Sequence, residues 1–338
     1  MKISSILLSM MFLIFTIAGI GCLSKQSTST QTSTPSPTIS SPIPPPTPTM
    51  TPIFCGYTFN NTGSMDHDDL IEEVDKVSNI ISNDLDIQVS TIGNSVLSKS
   101  LFLIKIQPVP AQEGNIKIMV IARQHGNEPA GTNTVFSYIS DLVNNERQLA
   151  NGVTLLFVPM VNPDGANGNT RNNTNNYNLN RDWDARTQPE TVAVFNLFEQ
   201  YNPEVFIDLH EFSSFTGRDF DMTFCPGIGS DSPAQQRGLY IAFESMVEQR
   251  LANGNINCDK TKAPVVGWIE GDTVFAANQI GINKYALSYI TESKGIPADN
   301  PLPPMEERIF MHRIFIETMI EYAAANKTEI INTVSSLR

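Results

Sequence analysis

The chain has 338 residues, 41% of them hydrophobic and 17% charged, with a net charge of -13 and four cysteines. That apolar fraction over this length can build a packed core, which excludes a wholly disordered chain. The acidic excess lies beyond residue 55 and no basic face is evident, so nucleic acid is not an expected partner, and four cysteines are too few for a disulfide scaffold.

Residues 1–22 carry one early lysine, Lys2, then an apolar run from Ile6 to Ile20 that ends at Gly21-Cys22. The run is long for a strand and short for a spanning helix, so a secretory signal is expected, of the lipoprotein type if Cys22 is acylated. Ile20 and Gly19 depart from the usual lipobox, and an uncleaved anchor is the other reading. Residues 23–53 are almost wholly Ser, Thr, Pro and Gln and cannot bury a core, so they read as a disordered stalk. Residues 54–338 read as one domain in an extracytoplasmic setting, at the cell surface or secreted, touching a membrane only through the N-terminal lipid or anchor.

Within that domain, Leu70, Ile71, Val74, Val77 and Ile80 recur at helical spacing over 68–83. Strands are expected at 87–92, 98–106, 116–122, 153–158, 204–209 and 284–290, and helices near 130–146, 187–201, 233–251 and 303–325. Such alternation predicts an α/β fold with a mixed, largely parallel central sheet flanked by helices.

The motif richest in chemistry is Arg123-Gln124-His125-Gly126-Asn127-Glu128-Pro129, which sets an imidazole and a carboxylate three residues apart at the end of a buried strand. His210 ends a second apolar strand, Val205 to Leu209. Catalytic zinc takes three protein ligands and keeps a fourth position open, so His125, Glu128 and His210 form a candidate set. Taken alone, each motif favours an ordinary loop pair or strand-end histidine. His67 and His312 stand in polar-flanked or helical settings that suggest the surface.

Between the two histidine motifs lie Asn162-Pro163-Asp164-Gly165, Arg171, Asn180-Arg181-Asp182-Trp183 and Pro189-Glu190-Thr191, and Tyr289-Ile290-Thr291-Glu292-Ser293 follows later. In this order and wording the chain, over roughly residues 85 to 325, resembles the zinc carboxypeptidases of the M14, carboxypeptidase A-like family. The resemblance implies one zinc per chain held by His125, Glu128 and His210, with Glu292 as catalytic base and Arg171 stabilising the oxyanion. It also implies that Asn180 and Arg181 grip the free C-terminal carboxylate of a peptide substrate. An arginine suits that task because its planar fork meets a carboxylate with two parallel hydrogen bonds.

Several features depart from the family. Asn178 stands where an aspartate usually orients a zinc-bound imidazole, and Asp208, two residues before His210 on one strand face, is the candidate to compensate. No tyrosine occurs between Cys258 and Asn283, where Trp268 and Phe275 lie, so the mobile substrate-capping phenol has no counterpart; side-chain preference falls near Asp272 or Thr273. Glu128 and His210 are 82 positions apart, a short spacing that implies a more open cleft. These departures leave two alternatives: a zinc amidohydrolase that deacylates N-acyl amino acids, as in the succinylglutamate desuccinylase and aspartoacylase group, and a non-catalytic peptide-binding relative. Of the cysteines, Cys225 with Cys258 is the expected pair, with Cys55 left over.

Overall fold

The computed structural model describes residues 57–213, 221–229, 231–258, 275–296 and 303–338. The expected signal and stalk segments, Cys22, Cys55, Trp268, Asp272 and Thr273 lie outside the described residues. Among these residues, seven strands form one mixed sheet: β1 (Leu85–Asn94), β2 (Ser100–Pro108), β3 (Ile116–Ala122), β4 (Val153–Val158), β5 (Val205–Ser213), β6 (Met222–Pro226) and β7 (Leu287–Ile296). Their spatial order is β1-β2-β4-β3-β5-β7-β6. The inner strands β4, β3, β5 and β7 run parallel, while β1, β2 and β6 attach antiparallel at the two sides. The architecture is the mixed α/β sheet flanked by helices that the sequence implies.

Burial explains the parallel centre. Every residue of β4 is buried, and β3 is buried except for Lys117, as expected for strands covered by helices on both faces. The helices are α1 (His67–Ser78), α2 (Ala130–Val143), α3 (Pro163–Gly168), α4 (Pro189–Tyr201), α5 (Ala234–Asn253), α6 (Ala276–Asn283), α7 (Met305–Ala325) and α8 (Lys327–Leu337). Val120, Ile207, Tyr289, Phe243 and Phe315 belong to the larger core, and Met119, Ile121, Trp183, Phe198 and Phe206 to the smaller.

Two histidines expected at the surface are buried. His67 places Nε2 3.0 Å from the Ser100 carbonyl and stacks on Phe102. His312, in α7, has Nδ1 3.1 Å from Thr291 Oγ1, and burial lowers its pKa to about 3, so it is neutral. Neither the polar flanks of His67 nor the helical setting of His312 reveals this, because each ring finds its partner on a distant element. The expected Cys225–Cys258 disulfide is not formed, although both residues are buried. Cys258 bridges Met222, and Cys225 lies three residues further along β6, roughly 10 Å at strand rise, beyond the reach of a disulfide.

Glu244 of α5 is buried, accepts a bond from Tyr289 Oη at 3.2 Å and has its second oxygen without a partner. Burial raises its carboxyl to about 7. The folded chain therefore holds a proton that the unfolded chain releases, so this group's contribution to stability falls as pH rises from about 4.5 to 7. Glu244→Gln is expected to remove that component, seen as a flatter dependence of the urea midpoint on pH.

Candidate active site

The site forms where β3, β5 and β7 end, the usual place for a cleft in parallel sheets. β3 stops at Ala122, and the chain turns out of the sheet through Arg123, whose φ is 60°. The buried Arg123 side chain stabilises this uncommon backbone. Its Nε donates to the Gly126 carbonyl at 3.0 Å, Nη2 to Ser64 Oγ at 2.9 Å, and Nη1 to the Met65 carbonyl. Gly126 then meets the Gly165 backbone so closely that a Cβ on it would stand 2.0 Å from the Gly165 carbonyl carbon.

Asn162 joins the same loops: its Nδ2 donates to the Gln124 carbonyl at 3.1 Å and lies 3.4 Å from the Arg171 carbonyl, while its Oδ1 accepts from Gly165 N at 2.9 Å. The N-P-D-G segment thus buttresses the H-x-x-E turn. Its Asp164 accepts from Ser95 Oγ and Leu97 N, and Glu190 of P-E-T accepts from Val96 N. Both motifs therefore secure the turn between β1 and β2.

On this platform His125, Glu128 and His210 converge, each no more than 2% exposed, with ligand atoms within 4.8 Å of one another. His125 Nδ1 lies 2.7 Å from Glu128 Oε1, His210 Nδ1 lies 2.7 Å from Glu128 Oε2, and the two Nδ1 atoms are 3.0 Å apart. The outer nitrogens fix the tautomers. His125 Nε2 faces Asn178 Oδ1 at 3.0 Å, and His210 Nε2 faces Asp208 Oδ2 at 2.9 Å. If each Nε2 carries the proton, both Nδ1 lone pairs point at a shared centre beside a carboxylate. Two nitrogen acceptors and a carboxylate at these separations suit a cation bound at about 2.0–2.2 Å, the donor set and reach of zinc.

Charge supports the same conclusion. Burial acts to raise the Glu128 pKa, but the two imidazoles overcome it and hold the carboxyl below its usual range. Burial lowers the His125 pKa, whereas Asp208 and Glu128 override burial at His210 and raise it well above the ordinary value. Positive charge is thus favoured at His210, as a proton or as a metal ion that displaces it.

Asp208 is held in turn. Gln124 Nε2 donates to Asp208 Oδ2 at 2.6 Å, and Trp183 Nε1 donates to Gln124 Oε1 at 2.7 Å. The sequence pointed to Asp208 but not to Arg123, Gln124 or Trp183, whose roles depend on contacts 58 or more positions away.

Glu292 of β7 is in register with His210 on the neighbouring strand, so both project toward the same region. Burial raises its carboxyl to about 7, with Glu128 adding to the rise and His210 opposing it. Arg171 is half-exposed, and its Nη1 reaches Glu128 Oε1 at 3.0 Å. Asn180 is buried: Ala276 N donates to its Oδ1 at 3.0 Å, and its Nδ2 lies 3.3 Å from His210 Nε2. Because that Nε2 already donates to Asp208, the Asn180 amide packs beside the ring without donating to it. Arg181 is exposed, donates from Nη1 to the Asn180 carbonyl at 2.8 Å and stacks 3.8 Å above the Phe275 ring. The structure thus gathers His125, Glu128, His210, Glu292 and Arg171 at one centre, with Asn180 against it and Arg181 further out.

With this geometry in view, comparisons with known proteins are informative. The family model for zinc carboxypeptidase matches residues 82–264. Carboxypeptidase 2 of Trichophyton tonsurans is 33% identical over 234 residues, 62% of this chain and 42% of that protein. Human carboxypeptidase D is 29% identical over 155 residues, 39% of this chain and 11% of that protein. A metallo-carboxypeptidase structure from Burkholderia cenocepacia superposes with a TM-score of 0.62 at 20% identity, covering 76% of this chain and 69% of that one. The chain therefore spans about two fifths of the length of the first of these curated relatives.

Gly126→Ala is expected to force the two loops apart, lowering stability by about 1–3 kcal/mol and stripping the metal, as measured by thermal unfolding and metal content after dialysis. Asp208→Asn keeps the shape and loses the charge on His210, so metal affinity is expected to fall about 10–100-fold in chelator competition, while Asn178→Asp tightens it.

Proposed function

This chain belongs to the zinc carboxypeptidase family, and from that premise we propose that it is a zinc-dependent exopeptidase removing C-terminal residues from peptides. The observation that carries the reading is the buried convergence of His125, Glu128 and His210 on one centre, with the Glu292 carboxyl in register one strand away. In this reading those three residues hold one zinc ion. When bound, zinc polarises the scissile carbonyl and lowers the pKa of water to about 7.

The chain's own groups do the rest. Glu292 accepts the proton of the attacking water and passes it to the nitrogen of the departing amine. A carboxyl poised near neutrality by burial suits this exchange in both directions. Arg171, half-exposed with its head at Glu128, is in this reading the cation that meets the carbonyl oxygen as it gains charge. Such a donor contributes on the order of 2.7–4 kcal/mol in the transition state.

Asn180 and Arg181 hold the terminal carboxylate of the peptide. Stacking on Phe275 uses the face of the Arg181 guanidinium, not its in-plane N–H donors, and confines the head to one plane. A fixed fork requires a free C-terminus, which makes the activity exopeptidase in type.

We also propose that the enzyme works outside the cytoplasm, secreted or tethered at the surface. This is supported by the apolar run Ile6 to Ile20, the Gly21-Cys22 that follows it and the Ser/Thr/Pro stalk over 23–53. Acylation of Cys22 would anchor the chain, with the stalk setting the enzyme away from the lipid.

Glu292→Gln is expected to abolish turnover, by at least about 100-fold, with zinc content unchanged, because only the proton acceptor is lost. Retained turnover would place the base elsewhere. Chelation should remove activity and added zinc restore it. Peptides with open C-termini should be shortened and amidated ones left intact; equal cleavage of both would reject the clamp, and activity confined to N-acyl amino acids would mark a deacylase.

A further inference from the structure

One buried ion pair close to the site takes no part in the proposed chemistry. Glu211 follows His210 in β5, and its carboxylate is only 1% exposed. Oε2 accepts from Ala130 N, the first residue of α2, at 2.8 Å; Oε1 accepts from Arg308 Nη1 of α7 at 2.6 Å. In return the backbone N of Glu211 donates to Glu128 Oε2 at 3.2 Å. The two carboxylates thus exchange backbone bonds across the junction: Glu128, just before α2, takes an N–H from β5, and Glu211, in β5, takes an N–H from α2.

This reciprocal pair fixes the turn bearing Glu128 against the strand bearing His210. Arg308 prevents the Glu211 carboxylate from rotating away, since it binds the oxygen that does not serve α2. Gly295 of β7 makes the arrangement possible, because a Cβ there would lie 1.7 Å from Glu211 Oε1.

We propose that Glu211 and Arg308 are positioning residues of the metal centre: the Glu211 carboxylate, locked by Arg308 and admitted by Gly295, sets the spacing between Glu128 and His210. The inference rests on the zinc-peptidase reading and assigns α7 a part in it. An ordinary buried ion pair would stabilise the fold without bearing on the metal, and Arg313 provides that comparison. It also joins α7 to α2, through Asp141, but far along the helix from the cluster.

The test measures the zinc dissociation constant of the full-length protein by competition with a chromophoric chelator, with far-UV circular dichroism confirming the fold. Glu211→Gln keeps an oxygen for Ala130 N–H but loses its attraction to Arg308, and Gly295→Ala displaces the carboxylate by putting a Cβ against the oxygen that Arg308 holds. Each is expected to weaken zinc binding about 10–100-fold while folded, with kcat recovering in excess zinc and KM unchanged. Arg308→Lys, which keeps the charge and loses the planar fork, should give a smaller loss, and Arg313→Met should lower the melting temperature without altering zinc affinity.

The inference is overturned if folded Glu211→Gln and Gly295→Ala both bind zinc like the wild type, or if Arg313→Met weakens binding equally. A wild-type chain that bound no zinc would instead overturn the functional reading beneath it.

Discussion

The arrangement of this domain turns on a buried carboxylate, Glu128, placed between two imidazole nitrogens that face inward. An anion in the protein interior is costly unless positive charge stands against it. Here nearby elements help meet that demand: Asn178 and Asp208 set the ring tautomers, Arg171 reaches the carboxylate from the solvent side, and the Glu211 backbone donates to it. The metal reading follows from this electrostatic need as much as from the ligand types.

The support of the two imidazoles is uneven. His125 leans on the neutral amide of Asn178, whereas His210 leans on the carboxylate of Asp208, which Gln124 and Trp183 hold in place. The negative charge that strengthens a histidine ligand thus stands behind His210, supplied by Asp208, the residue the sequence singled out to compensate for Asn178. Asn178 is therefore not a simple loss, because its carbonyl still sets the His125 ring while Asp208 provides charge nearby.

Much of this was legible in the sequence where local pattern and tertiary setting agree. β3 and β4 match the expected strands to the residue, because both are covered on two faces and read as apolar runs broken only by Lys117 and Thr154. The short edge strand β6 ends in a proline and offers only five residues, too few to show a period. Helix α3 begins inside N-P-D-G and reads as a turn, α6 is interrupted in pattern by Asn278 and Gly281, and α8 follows α7 with only Asn326 between them. The far end of β7 carries Thr291 to Lys294, a polar stretch that includes Glu292 and conceals the strand. The metal cluster could be named from its residue types and order. Arg123, Gln124, Trp183 and Arg308 could not, since an arginine or glutamine near a motif has no local signature of the distant group it binds.

The register of β5 on β7 has a wider consequence. His210 and Glu292 are paired across adjacent parallel strands, so the gap between the His210 ring and the Glu292 carboxyl is governed by the interstrand spacing, close to 4.8 Å at the backbone. Sheet geometry changes little as loops lengthen, shorten or exchange residues. The rim of this cleft can therefore differ in shape while the distance between the His210 ring and the Glu292 carboxyl stays set by the sheet.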